Sequence, residues 1–368
     1  MSCVAEETAA GGAGSGTPRA RGPGPASAGR VAGPGTPTRV LVAGGSGYAG
    51  ALAARLVDRH PTFELHAVTS RSDAGRRLND LYPHHRVEMV LTELDLERDG
   101  DVDAAIVAYP HGASAPVVAA LRERGVRVVD LSADFRLRDP LAYEQWYGEH
   151  GAPELFGTGV YGLPEVYGPQ IALADVVANP GCYPTATLLA LVPLARSGTV
   201  TDVTIDAKSG VSGAGRAPTD KTHFVAMDEN VVPYGVGAHR HMPEIDQELS
   251  ALGADVTATF TPHLVPLDQG ELVSCYITTS EPWSQERLDE AYGAWADEHP
   301  FVESVTAPPG VRDVRDTNVC SICARADTRT GKVFVFAAID NLWKGASSQA
   351  IQNLNLMFGL PETEGIEP

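Results

Sequence analysis

Residues 40–50 read VLVAGGSGYAG, in which a continuous apolar run leads into a turn with four glycines. Leu52, Leu56 and Val57 follow at helical spacing, so this segment predicts a strand, a tight turn and a helix. Glycines let the backbone approach a pyrophosphate, and the free N–H groups at a helix start attract its negative charge. The spacing GxxGxxG also suits an ordinary tight turn, but its place between strand and helix favours a dinucleotide-binding turn. The residues predicted to bind the coenzyme here are Gly44, Gly45, Ser46, Gly47, Tyr48 and Ala49.

The rest of the first half continues this alternation of strands and helices. Apolar runs without polar alternation lie at 63–68, 104–108 and 126–131, and a helical stretch covers 116–124. Such runs suit strands of a parallel sheet that is covered on both faces. The sequence therefore predicts the α/β fold class, with an N-terminal, doubly wound Rossmann-type dinucleotide-binding domain.

Beyond about residue 200 the pattern changes to strands in which polar and apolar residues alternate. These strands are expected at 256–264, 272–278 and 332–339, with helices at 243–251 and 284–297. This pattern predicts a C-terminal α+β domain, and a last amphipathic helix at 346–358 could pack on either domain. The predicted boundaries are 38–181 plus 346–368 for the Rossmann domain and 182–345 for the α+β domain.

Composition and charge exclude several classes of protein. A chain of 368 residues is long enough for two domains, and its net charge of −19 opposes binding to nucleic acid. No apolar run approaches the ~20 residues that cross a bilayer. The five cysteines are too scattered for a disulfide framework. Residues 1–37 are rich in Gly, Ala and Pro, and their composition predicts a disordered tail without the apolar core of a signal peptide. We therefore predict a cytoplasmic protein with no membrane or nucleic-acid partner.

The end of the second predicted strand bears on the choice of coenzyme. In an NAD site an Asp or Glu usually ends this strand and binds the ribose hydroxyls, whereas here the strand ends Thr69-Ser70-Arg71-Ser72. Hydroxyls and a guanidinium suit a 2′-phosphate. Ser70, Arg71 and Ser72 therefore favour NADP(H) over NAD, although an arginine in a loop can also be simply solvated.

A candidate nucleophile lies in the segment 179–185, NPGCYPT, which precedes an apolar helical run at 186–195. This placement puts Cys182 at a helix N-terminus, where the helix dipole and the free N–H groups favour thiolate over thiol. Pro184 near the first turn agrees with a helix start. A buried structural cysteine is the alternative, but the position favours a nucleophile.

The segment 237–244, GAHRHMPE, supplies candidate proton donors and acceptors. One imidazole of His239 and His241 can act as acid or base while the other shapes the site. An HxH pair can also bind a metal, but no third ligand is evident nearby, so we predict no metal.

Cys320 and Cys323 have CxxC spacing without a second pair and are predicted to be structural.

Three further loops carry groups that suit anions. Residues 209–216, SGVSGAGR, form a loop rich in Gly and Ser, which is not a P-loop because no GK[ST] follows the glycines. Residues 110–114 and 132–136 each follow a predicted strand, at the sheet edge where ligands bind. Arg136 in the last of these loops is a candidate anion clamp.

Four motifs in this order resemble those of the N-acetyl-γ-glutamyl-phosphate reductase family, over about residues 39–359. They are GxSGYxG at 44–50, NPGCYPT at 179–185, SGxSGAGR at 209–216 and HRHxPEI at 239–245, and the ending AIDNLxKG at 338–345 is also similar. The resemblance implies the fold of aspartate-semialdehyde dehydrogenase, with a Rossmann domain and a C-terminal catalytic and oligomerisation domain. It also implies NADPH-dependent reduction of N-acetyl-L-glutamyl 5-phosphate to the 5-semialdehyde in arginine biosynthesis, with release of phosphate, by a homo-oligomer (dimer or tetramer).

Carried over by position, the resemblance makes Cys182 the nucleophile and His241 the acid or base, with His239 and Tyr234 shaping the substrate pocket. A thiolate would attack the acyl phosphate, phosphate would leave, and the thioester would accept hydride from NADPH. Imidazolium at His241 would then protonate the departing thiolate or the oxyanion. The other predicted substrate-binding residues are His111, Ser114, Arg136, Arg216 and Arg240. The allocation of the three arginines to phosphate or carboxylate stays open. The other predicted coenzyme-binding residues are Pro110, Ser212, Gly213 and Asn341.

Three other functions are compatible with parts of this pattern. A short-chain reductase also uses GxxGxxG, but it needs a Tyr with a Lys four residues later, and none of the 11 tyrosines has one. A reductase of a homologous acyl phosphate, aspartyl or N-acylated aminoadipyl, would use the same Cys and His. A non-catalytic NADP-binding sensor would not need a reactive Cys182.

Overall fold

The computed structural model describes residues 37–366, so the predicted tail at 1–37 lies outside the described residues except for its last residue. The first half forms a six-stranded sheet in the order β2-β1-β3-β4-β6-β5, and every neighbouring pair is parallel. Its strands are β1 (Thr38–Ala43), β2 (Phe63–Thr69), β3 (Ala104–Val107), β4 (Arg127–Asp130), β5 (Val160–Tyr161) and β6 (Val176–Ala178).

Helices cover both faces of this sheet, as the unbroken apolar runs predict. The helices of the first half are α1 (Tyr48–Asp58), α2 (Leu78–Leu81), α3 (Leu96–Asp99), α4 (Ala115–Glu123), α5 (Pro140–Tyr147) and α6 (Pro164–Ile171). Val40 and Val42 belong to a core with α1, whereas Leu41 and Ala43 belong to the opposite core with α4. All four side chains are fully buried, because alternate residues of a strand point to opposite faces. The doubly wound α/β prediction is confirmed.

The second half forms a seven-stranded mixed sheet in the order β11-β12-β13-β10-β7-β9-β8. Only the pairs β7–β9 and β11–β12 are parallel. Its strands are β7 (Val200–Gly210), β8 (Val232–Pro233), β9 (Thr259–Val265), β10 (Glu271–Thr279), β11 (Val302–Ser304), β12 (Cys320–Asp327) and β13 (Lys332–Ile339). Cys320 and Cys323 lie buried in β12, in agreement with a structural role.

One helix of the second half is almost wholly buried. The helices here are α7 (Cys182–Ala195), α8 (Phe224–Met227), α9 (Met242–Ala251) and α10 (Gln285–Glu298). All residues of α7 except Cys182 and Pro193 are buried, and the helix packs on β10, β13 and α9. Its first residue is thereby fixed against the second sheet.

The C-terminal segment returns to the first sheet. A π-helical turn at Trp343–Ser347 leads into α11 (Ser348–Met357), which packs against α1, α6 and β4. Ile351 and Leu354 share a core with Val40 and Val42. None of the helices in residues 37–366 is long and apolar enough to cross a membrane.

Candidate active site

The glycine-rich turn between β1 and α1 has an open helix start. Gly44 has φ +93°, and a Cβ there would lie 2.6 Å from the carbonyl oxygen of Ala108. Gly47 is the N-cap of α1, has no side-chain cap, and would have only one atom, 3.8 Å away, near an added Cβ. The first turn of α1 carries no acidic residue. This cradle therefore offers space and uncapped N–H groups to an anion, which fits the pyrophosphate of a dinucleotide.

Polar groups surround this turn. Ser70 donates a hydrogen bond to the Ser46 hydroxyl at 2.8 Å, and Arg71 and Ser72 are exposed beside it. Asp73, which sequence reasoning missed, is buried and forms an ion pair of 2.9 Å with Arg216. Burial raises the pKa of Asp73, but hydrogen bonds from Ser72 and Arg216 and the charge of Arg216 outweigh it and lower the pKa.

Arg216 therefore lies on the coenzyme side of the site. Besides its pair with Asp73, it donates to the backbone oxygen of Ser46 at 3.3 Å. The loop that carries Arg216 is fixed to the C-terminal segment, because Asn341 donates to the Ser212 hydroxyl at 3.0 Å and accepts from the N–H of Gly270 at 2.7 Å.

Cys182 begins α7, with Gly181 as the N-cap. The preceding loop is fixed by Glu244, which accepts from the Gly181 N–H at 3.0 Å and from the Tyr161 hydroxyl at 2.7 Å. The same carboxylate pairs with Arg136 at 3.1 Å. Glu244 was quoted in the sequence pattern without a role, and the structure makes it the group that holds the nucleophile loop.

Two glycines allow neighbours to approach this loop closely. A Cβ on Gly181 would lie 2.7 Å from Cε1 and 2.8 Å from Cδ2 of His241. A Cβ on Gly345, in the π-helical turn, would lie 2.8 Å from the Cβ of Cys182. The imidazole of His241 and the C-terminal segment thus pack directly on the nucleophile.

The predicted histidines lie together beside Cys182. The rings of His239 and His241 are 4.9 Å apart, and His239 Nδ1 accepts from the N–H of His241 at 3.2 Å. The Tyr234 hydroxyl donates to the Tyr183 hydroxyl at 3.2 Å, and the Tyr234 ring packs against His239. The buried Nδ1 of His241 has no hydrogen-bond partner within the described residues.

The surroundings of both imidazoles lower their pKa values. Burial, then His239 and Arg136, lower the pKa of His241 well below its usual value. Burial and Arg240 lower the pKa of His239 to about 4. The ring of His241 is desolvated and lies beside cationic rather than anionic groups, which opposes a positive charge on it, so an imidazolium at His241 during the reaction stays a prediction.

The predicted arginines occupy different surroundings. Arg136 is buried and donates to the carbonyl oxygens of Asn179 and Leu131, both at 2.8 Å. Arg240 is exposed, contacts His111 and lies 5.7 Å from the ring centre of Tyr147.

Ser114 does not face the site. Its side chain is fully buried and donates to the carboxylate of Asp130. The prediction that Ser114 binds substrate therefore finds no support in its position, because its hydroxyl is already used inside the fold.

Two cavities meet at Cys182. One of about 320 Å³ extends to the coenzyme turn, and its lining includes Gly47, Tyr48, Ala49, Ser212, Gly213 and Asn341. The other, of about 530 Å³, is lined among others by Pro110, His111, Arg136, Tyr234, His239, Arg240 and His241. A larger cavity of about 870 Å³ lies outside this junction, against Tyr48, Arg216 and Trp343, and does not include Cys182. Ser70, Arg71 and Ser72 line none of these three cavities.

Among residues 37–366 no cluster of side chains is suited to hold a metal.

The sequence of the chain is similar to those of known proteins over most of its length. Residues 39–174 match the NAD-binding domain of semialdehyde dehydrogenases, and residues 182–341 match their dimerisation domain. N-acetyl-gamma-glutamyl-phosphate reductase of Rubrobacter xylanophilus is 49% identical over 343 residues, which cover 89% of this chain and 98% of the relative. The enzyme of the same name from Moorella thermoacetica is 48% identical over 337 residues, which cover 89% and 97%. The chain belongs to the N-acetyl-gamma-glutamyl-phosphate reductase family. The resemblance predicted from the four motifs is confirmed.

Solved structures extend the comparison of the fold beyond the reductase family. Aspartate semialdehyde dehydrogenase II of Vibrio cholerae, solved in complex with ASA, has a TM-score of 0.68 at 19% identity, covering 87% of this chain and 98% of that one. The aspartate semialdehyde dehydrogenase of Candida albicans, solved with NADP, has a TM-score of 0.61 at 16% identity, covering 87% and 98%. The predicted semialdehyde dehydrogenase-like fold is confirmed.

The surroundings of Cys182 in this member of the reductase family oppose ionisation of its thiol. Burial raises the pKa of the Cys182 thiol well above its usual value, and the nearby Glu271 carboxyl adds to this effect. The position at the helix start is as predicted, but the favourable effect of the backbone N–H groups is smaller than the cost of burying a thiolate beside an acid. Glu271 was missed by sequence reasoning.

Proposed function

We propose that this chain reduces N-acetyl-gamma-glutamyl phosphate to N-acetylglutamate semialdehyde and phosphate with NADPH, as a step of arginine biosynthesis. The observation that supports this most directly is the position of Cys182 where a coenzyme-side cavity meets a cavity lined by imidazoles and guanidinium groups. Relatives that are 44–49% identical to this chain are named N-acetyl-gamma-glutamyl-phosphate reductase, which supports the proposal.

The side chains present suit this chemistry. The Cys182 sulfur attacks the acyl phosphate and forms a thioester, which accepts hydride more readily than the ester that a hydroxyl would give. When bound, NADPH supplies that hydride. The ring of His241 donates a hydrogen bond to the carbonyl oxygen as negative charge develops there. Arg136 stabilises the same charge, because the Glu244 carboxylate outweighs burial and keeps the pKa of the guanidinium raised.

The coenzyme is held by the glycine-rich turn and the residues around it. The open N-cap at Gly47 receives the pyrophosphate, with Gly44, Gly45, Ser46, Tyr48 and Ala49 forming the turn. Ser70, Arg71 and Ser72 at the end of β2 bind the 2′-phosphate that distinguishes NADPH from NADH. Pro110, Ser212, Gly213 and Asn341 complete the site near Cys182, and Arg216 supports the coenzyme side.

The acyl phosphate occupies the 530 Å³ cavity beside Cys182. His111, Tyr234 and His239 shape this cavity, and Arg240 at its rim binds an anionic group of the substrate. Arg136 is more restricted, because three of its hydrogen bonds already go to the protein.

The active form is a cytoplasmic homo-oligomer, a dimer or tetramer. The matched dimerisation domain supports assembly. In the second sheet, Tyr276, Phe334 and Phe336 are partly exposed on the face opposite the buried residues Val333 and Val335. A face with aromatic groups of this kind suits packing against a second copy.

The test is turnover in the reverse direction. NADPH formation is followed by absorbance with N-acetylglutamate semialdehyde, with and without phosphate, for the wild type and for Cys182→Ala. The proposal requires a signal that depends on phosphate and disappears in the variant.

Two other results would contradict the proposal. A signal only with aspartate semialdehyde or an aminoadipate homologue would assign another acyl phosphate to the same mechanism. No signal with any of the three aldehydes would indicate a non-catalytic NADP-binding protein.

A further inference from the structure

An acidic residue, Asp73, lies on the coenzyme side of the first sheet, shortly after the end of β2. It is buried, with 8% of its surface exposed. Its backbone N–H donates to the Ser70 hydroxyl at 3.1 Å, and Ser70 donates in turn to the Ser46 hydroxyl of the glycine-rich turn at 2.8 Å. Asp73 therefore lies beside both the turn that receives the pyrophosphate and the residues that bind the 2′-phosphate in the proposed function.

An acid in this part of a dinucleotide-binding domain is typical of NAD sites, where its carboxylate accepts hydrogen bonds from the ribose hydroxyls. In NADPH a phosphate replaces one of these hydroxyls and brings negative charge to the same place. A carboxylate whose charge is not compensated repels that phosphate. Asp73 therefore opposes the binding of NADPH unless other groups of the protein neutralise it.

Donors from both halves of the chain surround the carboxylate of Asp73. Arg76 pairs with Oδ1 at 3.0 Å, and the Ser72 hydroxyl donates to Oδ2 at 2.9 Å. Arg216 pairs with the same Oδ2 at 2.9 Å, although it lies 143 residues further along the chain. Both carboxylate oxygens are thus occupied by the protein, and two guanidinium groups face one negative charge.

The loop that carries Arg216 is fixed within the second half of the chain. The N–H of Ser212 donates to the backbone oxygen of Asp268 at 3.0 Å, and the Ser212 hydroxyl accepts from Asn341 at 3.0 Å. The second half therefore presents the guanidinium to Asp73. The side chain of Arg216 is 38% exposed, whereas that of Arg76 is 51% exposed, so solvent screens the charge of Arg216 less.

We propose that Arg216 sets the preference for NADPH over NADH by neutralising the carboxylate of Asp73 beside the coenzyme turn. The inference rests on the NADPH-dependent reaction proposed above and deepens it, because it gives Arg216 a role in the choice of coenzyme rather than in binding the acyl phosphate.

Arg216 acts on the choice of coenzyme through Asp73, whereas Arg71 acts directly. Arg71 is exposed and has no ion-pair partner within the described residues, so its guanidinium is available to the 2′-phosphate. The preference for NADPH then has two parts: a free cation that attracts the 2′-phosphate, and a paired acid that no longer repels it.

The test measures the Kd values of NADPH and of NADH by fluorescence titration, which needs neither the acyl phosphate nor turnover. The quantity compared is the selectivity ratio, the Kd of NADH divided by the Kd of NADPH. In Arg216→Gln the carboxylate of Asp73 keeps only the more exposed partner, Arg76, and repels the 2′-phosphate. The selectivity ratio should therefore fall by about tenfold. An unchanged ratio in this variant would overturn the proposal.

A double variant separates neutralisation of Asp73 from direct contact between Arg216 and the coenzyme. In Arg216→Gln combined with Asp73→Asn the repelling carboxylate is gone as well, so the selectivity ratio should return to within about twofold of the wild-type value. A double variant as unselective as Arg216→Gln would show that the guanidinium acts on the 2′-phosphate directly, and it would overturn the proposal. Arg77→Gln is the matched control, because Arg77 forms an exposed ion pair with Glu88 at 3.1 Å, and its ratio should equal that of the wild type.

The single variant Asp73→Asn covers the case in which Arg216→Gln does not fold. It removes the acid and keeps both guanidinium groups, so the selectivity ratio should equal or exceed that of the wild type. A lower ratio would show that the carboxylate of Asp73 promotes the binding of NADPH, and it would overturn the proposal. Absence of reductase turnover in the wild type would refute the proposed function but leave the coenzyme titrations standing on their own.

Discussion

Substituting Gly181 by alanine should misplace His241 without unfolding the protein. The added Cβ would lie 2.7 Å and 2.8 Å from two ring carbons, whereas carbon atoms in contact sit about 3.5–4.0 Å apart. The ring or the loop must therefore move by about 1 Å. A displacement of about 1 Å between reacting groups costs on the order of 10²-fold in rate, which is about 2.7 kcal/mol of transition-state stabilisation.

The assay is kcat for phosphate-dependent NADPH formation, together with binding of NADPH and thermal unfolding of the same samples. Gly181→Ala should lose about 10²-fold in kcat while NADPH binding is kept, because the coenzyme turn lies on the other side of Cys182. Gly293→Ala is the control: it lies in α10, and an added Cβ there meets nothing within 4 Å. A Gly181→Ala enzyme with wild-type kcat would refute the close packing of His241 on the nucleophile loop.

Three other perturbations have defined outcomes. Cys182→Ala should abolish turnover yet bind NADPH with wild-type affinity in a fluorescence titration, since the turn that binds the coenzyme is unchanged; loss of binding would contradict the division into two cavities. Lys344→Met should lower the free energy of unfolding by about 3–5 kcal/mol in urea, because it leaves the buried Glu165 carboxylate without the ammonium group that lies 2.6 Å away. The additional change Glu165→Gln should recover part of this loss. Burial lowers the pKa of His85 to about 4, so this ring takes up a proton in the unfolded chain before it does so in the folded one. Stability should therefore fall as pH drops from 6.5 toward 4, by up to about 3 kcal/mol from this group, and His85→Gln should flatten that part of the pH profile.

The sequence predicted the elements that follow from hydrophobic pattern alone. The run at 40–43 is apolar at every position because both faces of β1 are buried, and the structure places the strand at Thr38–Ala43. The strands β5, β6, β8 and β11 were missed. They have two or three residues each, which is too short for a period of two to be visible.

In the candidate site, too, one part could be predicted from the sequence and another part could not. The motifs located Cys182, His239 and His241, and the structure brings these side chains to one cavity. The pKa shifts could not be predicted from the motifs, because they depend on burial and on neighbours from distant parts of the chain. Burial is the largest cause of the pKa shifts of both Cys182 and His241.

Glu271 could have been noticed in the sequence. Positions 271, 273, 275 and 277 alternate along one strand, and the last three are Val, Cys and Ile, all fully buried. A period of two therefore places the Glu271 side chain on the core face. An acid on a core face is expensive unless it is paired or has a function, and this was the available signal.

The return of α11 to the first sheet has a consequence for how the chain matures. Val40 and Val42 are made well before Ile351 and Leu354, which complete their core, because nearly all of the second half of the described chain lies between them. During synthesis the first sheet must therefore wait, with one face uncovered, until the second half has been translated and its own sheet can form. Emergence of α11 from the ribosome is then the event that closes the first core, and a chain cut short before α11 would expose this apolar face to aggregation and proteolysis.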